Sequence, residues 1–134
     1  SRVKNSTQVP TNVHVYRATL AAQPDNSVAI SSIGLLTSLT ALLKSPADAI
    51  SPLTGYELVA HKVRLLAVMG GKYPSSVGQK CECNFCAAYN SGLDHAVASA
   101  DSAFFFSHVP PSVKVIFSGF NVGVQVQTGG ALSE

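Results

Sequence analysis

The chain has 134 residues, a length that fits one domain with a buried core. Hydrophobic residues make up 46% and charged residues 12%, against about 25% charged in an ordinary soluble domain, so unusually buried surface or an interface is expected. The net charge of +2 comes without a Lys/Arg cluster, which leaves nucleic-acid binding through a basic face unsupported. No apolar run reaches about 18 residues, so no membrane-spanning helix is expected.

Residues 1–10 are polar and read as flexible; Asn5-Ser6-Thr7 is an N-glycosylation acceptor sequence if the protein is secreted. Val13, Tyr16 and Leu20 recur at helical spacing, which predicts a helix over 12–22 with Asn12 as its cap. After the turn Gln23-Pro24-Asp25-Asn26, the β-branched run 28–33 reads as a strand closed by Gly34. A helix is predicted over 36–43 and a short one over 56–61, separated by Pro-containing loops. Residues 62–69 form an increasingly apolar run, the pattern of a strand covered on both faces in a parallel sheet. A long loop over 70–91, a helix over 93–106 and a strand over 113–117 follow. Residues 122–127 alternate like a half-exposed strand, and 128–134 read as a flexible tail. Helices alternating with strands predict an α/β fold, a mostly parallel sheet flanked by helices with a Rossmann-like core. Ligands in such sheets sit beyond the carboxyl ends of the strands, and Gly34, Gly70-Gly71 and Gly119 fall just past predicted strand ends. Those glycines let loops crowd towards one crevice, or they merely end strands.

The residues with chemistry cluster after the second strand. In extended backbone Glu82 and Asn84 face the same side, and a carboxylate beside an amide suits a polyol such as a sugar. Cys81, Cys83 and Cys86 lie close together; with His95 they could be read as a zinc site, but the second ligand cluster that structural zinc usually needs is missing. Buried free thiols, or one disulfide and one thiol, are the favoured readings. A Cys–His nucleophilic pair using His95 or His108, or a glycosidase pair drawn from Glu82, Asp94 and Asp101, has weaker support.

Taken together, these segments resemble the nucleoside hydrolase family of the inosine-uridine-preferring type. Ser32-Ile33-Gly34-Leu35-Leu36-Thr37-Ser38-Leu39 is similar to the family's Leu-Gly-Pro-Leu-Thr-Asn-Leu segment. Residues 62–71 resemble its strand ending in Met-Gly-Gly, Cys81-Glu82-Cys83-Asn84-Phe85 its Ala-Glu-Phe-Asn segment, and residues 115–123 the strand that follows. The resemblance covers residues 26–124, about three-quarters of the chain, and corresponds to the central portion of the family fold. It implies cleavage of ribonucleoside N-glycosidic bonds by a calcium-activated water. It further implies that the Thr37 backbone carbonyl ligates Ca2+, that Met69 lines the ribose pocket, and that Glu82 and Asn84 hold ribose hydroxyls.

The departures bear on activity. The family's N-terminal Asp-x-Asp-x-x-x-Asp-Asp cluster has no counterpart, since the only acids before residue 57 are Asp25 and Asp48. Leu35 stands for Pro, Ser38 for Asn and Cys83 for an aromatic residue. A hard divalent cation needs several oxygen ligands, so calcium is expected to bind weakly or not at all. Two functions follow: a nucleoside hydrolase-like enzyme with impaired or absent catalysis in this chain alone, or a non-catalytic carbohydrate- or nucleoside-binding or interaction protein. The expected ligand is a nucleoside or sugar. The glycosylation sequence and Ser1 in place of an initiator Met lean towards secretion. The chain reads as the middle of a larger fold with uncovered sheet edges, so it is expected to be a homo-oligomer, most simply a dimer. Sedimentation at micromolar concentration should show a species larger than a monomer; a monomer there would refute that expectation.

Overall fold

The computed structural model describes residues 5–73, 84–86 and 94–126. After a short 3-10 turn at Ser6–Gln8, the elements run α1 (Asn12–Ala21), β1 (Val28–Ser32), α2 (Thr37–Lys44), α3 (Gly55–Lys62), β2 (Val63–Met69), α4 (His95–His108), β3 (Lys114–Ser118) and α5 (Phe120–Gly123). The three strands form one parallel sheet in the order β1-β2-β3. The fold is therefore α/β, a parallel sheet flanked by helices with a Rossmann-like arrangement. Among the described residues no helix is long and apolar enough to cross a membrane. The expected flexible start includes the ordered turn at Ser6–Gln8, and the expected tail lies outside the described residues.

Local chemistry explains the helix boundaries. Thr11, not Asn12, caps α1 by accepting from the His14 N–H, while the Asn12 side chain reaches across to donate to Ser38 Oγ at 2.8 Å. Thr54 and Glu57 form a reciprocal capping box at the start of α3. Hydrogen bonding by Thr54 holds the Glu57 carboxyl below its ordinary range. Asp94 caps α4 by accepting from the Ala96 and Val97 N–H groups. The carboxylate of Asp94 is thus committed to the helix start, while that of Asp101, within α4, lies 3.5 Å from Lys44.

Both crossovers step the same way across the sheet. The usual right-handed connection then places their helices on one face. The register agrees: the row Ile30, Leu66 and Val115 points into the core, and Leu66 is 1% exposed. Leu20, Leu36, Leu39, Leu42, Leu58 and Phe105 meet it from the helices. Each such side chain contributes about 1.5–3 kcal/mol when fully buried. The opposite row, Ser31, Ala67 and Ile116, stays partly or largely open, with Ile116 45% exposed. The apolar run in β2 therefore does not mean cover on both faces. Among the described residues only one face is packed, because both connections return over it.

The alternating segment 122–127 is not a strand as far as it is described. Val122, Gly123 and Val124 donate back to Gly119 and Phe120, so the chain coils just beyond β3 instead of extending. Six alternating residues that include a glycine carry a period of two by sequence, but no described strand pairs with residues 122–126.

The largest fully buried side chain is Arg17, at 1% exposure. Its Nε and Nη2 donate to the two Asp48 carboxylate oxygens, both at 2.8 Å. Nη1 donates to Ser45 Oγ, and Nη2 also reaches the carbonyls of Ser51 and Leu53. The Arg17 guanidinium, assisted by the Ile50 and Ser51 N–H groups, lowers the Asp48 carboxyl to about 2. Its unfolded value is about 3.9, so the folded pKa is depressed. The associated stability is complete above about pH 4 and is lost as pH falls towards 2. Arg17→Ala should cost about 3 kcal/mol or more, since it strands buried acceptors. Thermal melts should show a fall in midpoint from pH 4 to 2 that is smaller in Asp48→Asn; equal slopes in the two proteins would refute the assignment.

Candidate functional site

The carboxyl ends of β2 and β3 continue into paired backbone. The Gly70 N–H donates to the Ser118 carbonyl at 3.0 Å, and the Phe120 N–H to the Gly71 carbonyl at 2.8 Å. Gly70 accepts the Phe85 ring so closely that a Cβ there would stand 2.4 Å from it. Gly71 has φ +75, the left-handed region that favours glycine. A Cβ at Gly119 would stand 2.7 Å from the Tyr73 ring, so three of the glycines past strand ends have specific structural reasons, whereas a Cβ at Gly34 would meet nothing within 4 Å.

The described part of the loop after β2, residues 84–86, is fastened by three consecutive side chains. Asn84 has φ +60, which asparagine tolerates better than most residues. Its Nδ2 donates to the Met69 carbonyl at 2.8 Å and to the Ile33 carbonyl at 3.4 Å, linking the ends of β1 and β2. Phe85 packs edge-on against Phe106 of α4, with ring centroids 5.0 Å apart, and against Phe117 of β3 at 6.4 Å. Cys86 is buried and disulfide-bonded, which excludes the reading of free thiols throughout.

An open cleft of about 520 Å3 lies at this edge, lined by Met69, Gly70, Asn84, Ser118, Gly119, Phe120, Gly123 and Val124. The volume falls within the ordinary range of small-molecule sites, and the position is the one that open parallel sheets use for ligands. Among the described lining residues none has a charged side chain. Met69, Phe120 and Val124 supply exposed apolar surface. With its amide hydrogens aimed at backbone carbonyls, Asn84 offers a ligand its Oδ1 acceptor.

The structure brings Met69 and Asn84, expected at the sugar, onto one cleft. Glu82 lies outside the described residues, as do Cys81 and Cys83. Thr37 is the first residue of α2, where backbone carbonyls enter the intrahelical ladder. Among the described residues no three His, Cys, Asp or Glu side chains converge as metal ligands. Asp25, just before β1 and so at the opposite edge of the sheet, pairs with Lys62 at 2.6 Å, which holds its carboxyl low. Asp48 is engaged by Arg17. Among the described residues these acids are committed to ion pairs and do not form a ligand set that fits calcium. Asn5 is exposed ahead of α1, with Oδ1 accepting from the Thr7 N–H. Sequence reasoning assigned no role to Ser118, Phe120 or Val124, although the position of Phe120 directly past a strand end was the available signal.

No family model, curated protein or solved structure matches this chain.

Two substitutions separate support from lining. Gly70→Ala should destabilise by about 1–3 kcal/mol through its clash with Phe85, while Gly123→Ala, where a Cβ meets nothing within 4 Å, should leave the melting midpoint nearly unchanged. Chemical denaturation of both variants checks this; equal stabilities would refute the close packing at Gly70.

Proposed function

We propose that the chain is a nucleoside hydrolase-like protein that holds the ribose of a ribonucleoside at the cleft and does not cleave the N-glycosidic bond by itself. The observation that carries this reading is the meeting of Met69 and Asn84 on one cleft at the carboxyl edge of the sheet. These residues are 15 positions apart in sequence, and the resemblance assigned both to the sugar. The lack of catalysis is supported by the engagement of Asp25 and Asp48 in ion pairs away from that edge. With those acids occupied, no described lining residue is a carboxylate that could deprotonate a water in the cleft. Glu82 is proposed as the second sugar-holding residue on the resemblance alone.

The alternative is a non-catalytic carbohydrate- or nucleoside-binding or interaction protein acting as an oligomer. The absence of charge among the described lining residues and the half-open second face of the sheet favour it. Calorimetric titration with inosine, uridine and ribose, alongside an assay for free base with and without calcium, tests both readings. Saturable binding without base release is expected, weakened in Glu82→Ala. Calcium-dependent release abolished by Glu82→Ala would overturn the non-catalytic part of the proposal. An absence of binding by all three ligands would overturn the ribose-holding part.

A further inference from the structure

The sequence holds one Asn-x-Ser/Thr triplet, Asn5-Ser6-Thr7, and the cleft makes no use of it. The structure gives that triplet a definite geometry. Asn5 and Thr7 are both exposed, ahead of α1. The Thr7 N–H and the Thr7 hydroxyl both donate to Asn5 Oδ1, at 3.1 and 2.5 Å. The Gln8 N–H donates to the Asn5 carbonyl at 3.3 Å and closes the 3-10 turn. A turn of this kind uses only the carbonyl oxygen of the asparagine side chain. Nδ2 carries the two amide hydrogens, and among the described residues nothing accepts from them. A second observation comes from the other end of the fold. Cys86 is buried and disulfide-bonded. Disulfides form and persist in oxidising compartments such as the secretory lumen, and Asn-x-Ser/Thr is the glycan acceptor of proteins on that route.

We infer that Asn5 is the attachment site of an N-linked glycan. The donor is an oligosaccharide joined through its anomeric carbon to a lipid pyrophosphate. A bond forms between that carbon and Asn5 Nδ2. The bond from the carbon to the pyrophosphate oxygen breaks, and its electron pair leaves with the pyrophosphate. Nδ2 gives up one proton to a base of the transferring enzyme. As that proton leaves, negative charge moves onto Oδ1, where the two Thr7 donors lie. Thr7 is thus a positioning residue for the modification. The hydrogen bonds of this turn lie within residues 5–8, so a glycan on Asn5 displaces no packing of the core.

The test expresses the 134-residue chain behind a secretion signal in eukaryotic cells and measures the intact mass of the protein in medium and cells. The mass should exceed the 13.9 kDa of the polypeptide by one glycan. Peptide N-glycosidase should return it to the polypeptide value and leave an aspartate at position 5, read by peptide mapping. Asn5→Gln and Thr7→Ala should both abolish the added mass, while Thr7→Ser should keep it. The melting midpoint of Asn5→Gln should match that of the enzymatically deglycosylated chain, which separates loss of the acceptor from loss of the fold. Unmodified mass in both medium and cells would overturn the proposal, as would added mass that survives in Asn5→Gln. Thiol titration of the secreted chain should find fewer than three free cysteines; three would overturn the secretory assignment on which the modification rests.

Discussion

A permanently charged guanidinium with 1% exposure is the constraint around which the helical layer is arranged. Arginine does not neutralise itself to escape burial, so its donors must find acceptors in fixed directions. The acceptors come from one segment, Ser45 to Leu53, between α2 and α3. That segment would otherwise be a loop without a core of its own. Fastened to α1 through Arg17, it brings the Gly55 N–H to the Ser45 carbonyl at 2.9 Å and so sets where α3 begins. A Cβ on Gly55 would stand 1.7 Å from the Leu42 carbonyl oxygen, which shows how closely the two helices meet. Since α2 and α3 form the connection from β1 to β2, the parallel pairing of those strands rests on the same charge cluster.

The carboxyl edge is organised differently. There the strands end in glycines, and the shape comes from side chains laid over bare backbone. Asn84 bridges two strand ends, Phe85 fills the space above Gly70, and Cys86 is tied by its disulfide. Tyr73 lies over Gly119, and its carbonyl accepts from Asn121. These contacts hold the floor of the cleft, while Phe120 and Val124 stay open above it. The residue types divide accordingly: polar groups are spent on the frame, and apolar groups face outward.

Much of the architecture was legible because it depends on periodicity. The apolar spacing of Val13, Tyr16 and Leu20, the β-branched run from Val28 and the run ending at Met69 located their elements within a residue or two. What escaped depends on partners distant in sequence. Arg17 looks like a solvent-facing helix residue until Asp48 is placed beside it, 31 positions away. Asp94 falls inside the helix predicted over 93–106 because a cap is defined by backbone direction, which periodicity does not carry. The alternation at 122–127 misled because a period of two makes a strand only where a neighbour supplies the ladder. At the cleft, the resemblance singled out Met69 and Asn84, whereas the use of the Asn84 amide hydrogens on the frame was not legible, because the Ile33 carbonyl is 51 positions away.

The strand order β1-β2-β3 follows the order of the chain. A polypeptide emerging from the ribosome at about 5–20 residues per second presents these three strands in the order in which they pair, and the segments bearing Arg17 and Asp48 both precede β2. The carboxyl-edge cleft needs β3 and the turn after it, the latest of the described elements.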